Sequence, residues 1–487
     1  MQGATHKLPY RADKDRAWKE RTCVLTTKRT IHFIGIGGAG MSAIAKVLLE
    51  AGNIITGSDL KRSETTARLA EMGATIHIGH RVTNLGHPDL VVVSSAIPAN
   101  NVELVAARKA GIPVIQRGEM LARLMEGRKG IAVAGAHGKT TTTSMISLAL
   151  ERGGLDPTVL IGGELNDIGG NAKLGGGEYL VAEADESDGS FLKLRPHIAV
   201  VTNVEDDHLD YYGTPEKIVE AFSTFVNQVP EDGLAVLCAD NANAARIAAT
   251  CQRRVVTYGL ESAADYEARN ISHHALRSSF EVWERSVCLG TLVLSVPGKH
   301  NILNALATVA VAREVGIDLS VVRSALADFH GVHRRFELVG EVGGIYVVDD
   351  YGHHPTEIKA TLSAAKLGHF DRIICVFQPH RYTRTKFLHR EFGTAFGQAD
   401  ELIITDIYPA GEAPIAGVTS KLIVDAVAAQ DGPCPVYIPD LKDVVPYLLG
   451  RLRPGDLVLT VGAGNVWTVG VELVAALGRQ EKSVAQA

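Results

Sequence analysis

The sequence predicts an α/β protein made of three consecutive blocks, each a mainly parallel sheet covered by helices. Three observations carry that reading. Short β-branched runs alternate with helical stretches along most of the chain, the signature of βαβ units. The chain has 487 residues, too many for one ordinary core. Its 49 glycines and three tryptophans suit many tight strand-to-helix turns.

The first block holds the runs IHFIGI (31–36), NIITG (53–57) and LVVVSSA (90–96). The second starts with GIAVAG (130–135) and continues through YLVAEAD (179–185), HIAVVTNV (197–204), GLAVLCAD (233–240) and RVVTYG (254–259). It closes on FEVWERSVCLGTLVLSVPG (280–298), whose alternation predicts antiparallel strands. The third block contains GGIYVVDDYG (343–352), RIICVFQP (372–379), ELIITDIY (401–408) and DLVLTVGAG (456–464). The blocks meet near residues 125 and 333. The expected domains are therefore 29–124, 125–333 and 334–487, after a polar N-terminal extension, 1–28.

Composition narrows the function classes. The chain is 46% hydrophobic and 21% charged, and no apolar run approaches the ~18 to 20 residues of a membrane span. Net charge is −6 with acids and bases interspersed, which argues against nucleic acid as partner. The six cysteines are scattered without a C-x-x-C pair, so the expectation is reduced thiols in a cytoplasmic protein.

The richest motif is IAVAGAHGKTTTT, 131–143. An apolar strand leads into Gly135, His137, Gly138, Lys139, Thr140 and Thr141, and a helix follows. Such a loop turns backbone N–H groups and a helix N-terminus toward phosphate. Lys139 can reach terminal phosphates and the Thr140 hydroxyl can ligate Mg²⁺. The longer form of this motif has a glycine where this chain has Val133. Glu183 ends the next strand and can meet a metal directly or through water; the alternative is a solvated acidic loop, since Asp185, Glu186 and Asp188 crowd the same turn. His208 follows a third strand. Three parallel strands thus end in a phosphate loop, a carboxylate and a histidine, where ligands of open α/β sheets bind.

In the first block, Gly35-Ile36-Gly37-Gly38-Ala39-Gly40 fits G-x-G-x-x-G, and Asp59 closes the next strand. This pattern accommodates a pyrophosphate and a ribose, in a nicotinamide cofactor or a UDP-sugar alike. In the third block, Arg335 and Asp350 flank one strand, and His380, Arg381 and Arg384 follow another. Planar guanidinium groups there suit a carboxylate or phosphate. Asn301, at the start of a helix, can contact a base or cap the helix. Gly462-Ala463-Gly464 reads as a turn.

Taken in order, GIGGAGMS, GAHGKTTTT, EADESDGSF, TNVEDDHLDYYG, GKHNILNA, HRRFE, DDYGHHPTE and FQPHRYTRT resemble the Mur ligases. The likeness is strongest to the branch joining L-alanine to UDP-N-acetylmuramate, an early cytoplasmic step of peptidoglycan synthesis. It implies an N-terminal Rossmann-like domain for the UDP-sugar, a central P-loop ATPase-type mixed sheet, and a C-terminal Rossmann-like domain for the amino acid. It also implies ATP and two Mg²⁺ ions and an acyl-phosphate intermediate, and the chain is expected to be a monomer or weak homodimer. By resemblance, Lys139, His208 and Arg381 are catalytic, while Thr140, Glu183 and His208 hold metal. Asn301, Arg335 and Asp350 join the loop in binding ATP. Gly37, Gly38, Ala39, Asp59 and His77 bind the UDP-sugar; Tyr351, His353, His380, Arg381 and Arg384 surround the amino acid. Several sister enzymes carry a carbamylated lysine where this chain has Ser223. A peptide-recycling ligase on the same UDP-sugar and a nicotinamide-dependent oxidoreductase are the alternatives.

Overall fold

A computed structural model describes residues 28–165, 170–274, 276–329 and 331–485. The polar extension expected over 1–28 lies almost wholly outside the described residues. Three sheets follow one another along the chain.

The first comprises β1 (Thr30–Ile34), β2 (Ile54–Asp59), β3 (Thr75–Ile78), β4 (Leu90–Val93) and β5 (Val114–Gln116), in the order β3-β2-β1-β4-β5. All pairings are parallel. Helices cover both faces, so β4 is buried at all four positions and reads as continuous LVVV rather than an alternation. Local chemistry marks the helix starts: Ser63 and Thr66 form a capping box, and the Asn101 side chain accepts from the N–H groups of Glu103 and Leu104.

The second sheet has ten strands. They are β6 (Lys129–Ala134), β7 (Thr158–Leu165), β8 (Gly170–Lys173), β9 (Tyr179–Glu183), β10 (Ile198–Val201), β11 (Leu234–Cys238), β12 (Val255–Gly259), β13 (Tyr266–His274), β14 (Arg277–Glu284) and β15 (Val287–Leu294). Their order is β15-β14-β13-β12-β11-β10-β6-β9-β7-β8. The pairs β13–β14, β14–β15 and β7–β8 are antiparallel, which makes the sheet mixed. The helix Lys139–Arg152 is buried from Thr142 to Leu150, and the helices Lys299–Glu314 and Leu319–Ala327 pack against it. Being covered on every side, it carries no amphipathic pattern.

The third sheet comprises β16 (Glu337–Val342), β17 (Ile345–Asp350), β18 (Arg372–Phe377), β19 (Glu401–Ile404), β20 (Pro435–Tyr437) and β21 (Asp456–Val461). Its order is β16-β17-β21-β18-β19-β20, parallel except for β16. Among the described residues no helix is long and apolar enough to cross a membrane.

Candidate active site

Strand β6 lies between β9 and β10, so the three strand ends singled out in the sequence are neighbours. The phosphate loop turns at Gly135 (φ +142°) and Gly138 (φ +81°), conformations that L side chains rarely adopt. A Cβ on Gly135 would also overlap the Thr202 hydroxyl. That hydroxyl donates to the His137 carbonyl at 2.6 Å. Asn203 holds the same residue twice, accepting from its N–H and donating to its carbonyl, each at 2.9 Å. Val133 is an interior strand residue, fully buried and opposite Glu183 and Val200. The turn begins two residues later, so no glycine is needed at that place.

Lys139 opens the helix with its ammonium curled over the loop, 2.5 Å from the Gly135 carbonyl and 2.8 Å from Glu186 Oε1. Glu183 accepts from the Gly162 N–H at 2.6 Å and from the Thr140 hydroxyl. Burial raises the Glu183 pKa, and the Gly162 N–H only partly offsets it. His208 stands in the left-handed region at φ +57°, its Nε2 3.7 Å from Glu186. Glu186 is buried, which goes against the alternative of a solvated acidic loop. The Tyr212 hydroxyl donates to the Glu186 backbone carbonyl at 2.6 Å. Ser223, in the helix Pro215–Asn227, accepts through its carbonyl from Asn227.

Beyond the loop lies a cavity of about 320 Å³. One wall is the phosphate loop, including His137, Lys139, Thr140 and Thr141; the other includes Asn301, Arg335 and Asp350. Asn301 donates to the Pro297 carbonyl at 2.7 Å and receives Asn304 at 3.3 Å, so its amide is held by its own helix start. Asp350 accepts from the N–H groups of Phe336 and Gly352 at 2.9 and 2.7 Å. Burial pushes its pKa up to about 6, against the pull of Arg335. Arg334 is an anchor: its guanidinium binds Asp349 and the carbonyls of Gly462 and Gly464. The late glycine turn therefore fixes the segment that presents Arg335.

A second group of polar side chains adjoins this wall. The Arg384 guanidinium can only donate, so His380 Nδ1, 3.0 Å away, is the acceptor and Nε2 carries the proton. His380 stacks on Tyr408 at 5.8 Å, and burial with the nearby His353 and arginines brings its pKa down to about 4. His353 donates from Nδ1 to the Tyr351 carbonyl at 3.1 Å, which leaves Nε2 as an acceptor. Its ring centre is 5.6 Å from Tyr351 and 5.9 Å from His380. Arg381 is exposed and holds φ +72°, a strained backbone of the kind concentrated at functional sites.

Residues 30–129, 133–312 and 334–464 match, in turn, the "Mur ligase family, catalytic domain", the "Mur ligase middle domain" and the "Mur ligase, glutamate ligase domain". The chain belongs to the Mur ligase family. Among relatives of this Mur ligase is the UDP-N-acetylmuramate–L-alanine ligase of Pelotomaculum thermopropionicum. It is 56% identical over 93% of this chain and 99% of the relative. The enzyme of the same name from Desulforamulus reducens is 55% identical over 92% and 97%. A crystal structure of the UDP-N-acetylmuramate-alanine ligase of Thermotoga maritima superposes with a TM-score of 0.79. It is 32% identical and covers 93% of this chain and all of its own. The murein peptide ligase of Psychrobacter arcticus follows at 0.67, 27% identical, over 92% and 99%.

In the first domain of this Mur ligase, Gly37 donates its N–H to Asp59 Oδ2 at 2.9 Å, and the helix Ala39–Glu50 begins just after Gly38. The Ala39 carbonyl accepts from Asn171 of the middle domain at 3.0 Å. Arg117 reaches Asp185 at 2.7 Å across the same boundary. His77 stands on β3 opposite Ser58, on the far side of β2 from the glycine turn's own strand. These residues form a group separate from the cavity wall. Sequence reasoning missed three acids: Glu186, Glu205 and Glu357. Glu357 lies in the named motif DDYGHHPTE, and its fit to a helix-start capping box with His354 was the available signal.

Proposed function

We propose that this Mur ligase joins L-alanine to UDP-N-acetylmuramate with ATP as the energy source, an early step of peptidoglycan synthesis. The observation that carries the reading is the cavity itself. A phosphate loop led by Lys139 faces Arg335 and Asp350, contributed by a different domain. The relatives' names and their near-complete coverage support the choice of substrates. The oxidoreductase reading leaves the loop, Glu183 and His208 without work. The peptide-recycling reading has the weaker structural match.

A muramate carboxylate is a poor electrophile, because its charge repels an amine and oxide is a bad leaving group. Moving the γ-phosphoryl of ATP onto one carboxylate oxygen gives an acyl phosphate, and ADP departs. Lys139 and the loop N–H groups spread the charge in transfer. The alanine amine, neutral when it attacks, forms the new C–N bond, and the tetrahedral intermediate expels phosphate. Arg384 and Arg381 suit the alanine carboxylate, while His353 Nε2 is an acceptor for the amine. Arg335 and Glu357 bridge toward the loop, so closure of the third domain would exclude water from the acyl phosphate.

The donor set fits Mg²⁺: Thr140 and Glu183 offer hard oxygens beside Lys139, and Glu186 has a buried oxygen with no partner. Thr140 and Glu183 would hold one ion and His208 a second, and these would neutralise phosphate charge. All groups named lie on one chain, so the reading needs no second copy. The test is ADP release by the purified protein with UDP-N-acetylmuramate and each amino acid in turn. Release with L-alanine and not with D-glutamate or a peptide is expected; release independent of the amino acid would sink the reading.

A further inference from the structure

Tyr408 touches the amino-acid group through both its backbone and its ring. It lies beyond the end of β19, His380 lies beyond the end of the neighbouring β18, and the two form an isolated parallel bridge. The Tyr408 N–H donates to the Pro379 carbonyl at 2.8 Å, and the Tyr408 carbonyl accepts from the Arg381 N–H at 2.9 Å. These bonds flank His380 and hold Arg381 at its strained φ of +72°. The Tyr408 ring then lies parallel to the His380 imidazole, with 9° between planes and 5.8 Å between centres. Room for it comes from Gly464, where a Cβ would stand 2.6 Å from Tyr408 Cγ. The same loop reaches the first turn of the helix Tyr382–Gly393: Glu412 accepts from the Thr383 N–H and hydroxyl at 3.0 and 2.6 Å.

The bond from Arg384 fixes one atom of the His380 ring, Nδ1, but not the plane of the ring. A stacked face fixes the plane. The Nε2–H makes no hydrogen bond among the described residues, so it is left for a ligand. We infer that Tyr408 is a positioning residue for the amino-acid substrate: its ring sets the plane of His380 and so the direction in which Nε2–H meets that substrate. The inference rests on the proposed ligase reading, which puts alanine at this group. Tyr408 is 37% exposed and stands outside the buried core, so substitution there leaves the packing of the sheet in place. The backbone pairing survives any substitution except proline, because it uses only main-chain N–H and C=O groups. Loss of the ring is therefore separable from loss of the segment.

The test is steady-state kinetics of the full-length protein with alanine, ATP and UDP-N-acetylmuramate varied in turn. Tyr408→Ala should raise the KM for alanine roughly three- to tenfold, the range for one lost aromatic stack, and leave the other two KM values within about twofold of wild type. Tyr408→Phe keeps the ring and should restore the wild-type value, since the hydroxyl has no part in the stack. In a His380→Ala background, Tyr408→Ala should add no further loss, because its effect passes through that imidazole. An unchanged alanine KM in Tyr408→Ala would overturn the inference, as would a parallel rise in all three KM values. So would a Phe variant as impaired as the Ala variant, or additive losses in the double variant. These outcomes leave the ligase reading standing, whereas a wild type without alanine-dependent turnover defeats that reading itself. Should Tyr408→Ala not fold, Tyr408→Leu carries the test: its alanine KM must rise at least about threefold, and an unchanged one counts against the inference.

Discussion

His137 Nε2 lies 3.3 Å from Glu205 Oε2 while its Nδ1 lies 3.7 Å from Glu357 Oε1, so one imidazole ties the phosphate loop to acids on two domains. Burial works against the charged ring, but the two carboxylates outweigh it and raise the pKa from 6.5 to about 9. Glu357 is correspondingly held well below the usual carboxylate range by His137, His353 and Arg335, despite its burial. A raised folded-state value means the contact is fully present below pH 6.5 and fades as pH rises through 9. The expected outcome is a His137 ring signal titrating near 9 by NMR, and nearer its ordinary value in Glu357→Gln. Titration of the wild-type ring at 6.5 would show that the two acids do not act on it.

Lys139→Ala removes the ammonium that lies over the loop. Turnover should fall by about 10²- to 10³-fold, the range for losing a group that stabilises transferring charge. UDP-N-acetylmuramate binding, measured by calorimetry, should stay near that of wild type, since its expected residues lie in the first domain. Turnover close to wild type would refute the assigned role.

Arg384→Ala separates the amino-acid group from the nucleotide cavity. Losing a charge-assisted bond to a carboxylate is worth about 1.5 to 3 kcal/mol, hence a rise in the KM for alanine of roughly 10- to 100-fold. The KM for ATP should move little. His380 would also lose its donor at Nδ1, so its ring should titrate above about 4 in the variant.

Glu103 supports the first domain from beneath the sheet. It is fully buried and accepts from Ser58 (2.5 Å), Asn84 (2.7 Å) and the Arg81 N–H (2.9 Å), with His32 at 3.3 Å. Burial pushes its pKa up, but these bonds outweigh it and bring the value from 4.5 down to about 2. The stability it contributes is present above pH 4.5 and lost as pH falls through 2. Glu103→Ala leaves several buried donors unmet and should cost about 3 kcal/mol or more, read from the urea midpoint of the first domain. A midpoint within error of wild type would contradict this account.

Much of the fold was legible because strands buried on both faces announce themselves as apolar runs. The runs at IHFIGI, GIAVAG, YLVAEAD and HIAVVTNV all became central strands. Less legible were β3, β7, β8 and β20, which sit at or near sheet edges and carry polar residues or glycine. In β7 the pair Gly162-Gly163 resembles a turn. The structure gives the reason for the first of them: Gly162 brings its N–H to Glu183, and a Cβ there would sit 2.7 Å from that carboxylate. Within the site, motif residues that follow strands were readable from spacing. Glu186 was not, because three acids in one turn look alike until burial tells them apart.

By itself, the sequence determined the three-block α/β order, the phosphate loop and the residues at the strand ends. These are local properties, set by period, turn chemistry and the glycines that allow a loop to close on phosphate. Only the tertiary structure decided that Glu357 of the third domain meets His137, and that Glu186 is enclosed beside Lys139. Those contacts join residues 220 and 47 positions apart, since 357 − 137 = 220 and 186 − 139 = 47. Which groups meet at such separations depends on strand order and domain packing, and those follow from burying whole apolar faces rather than from any short pattern.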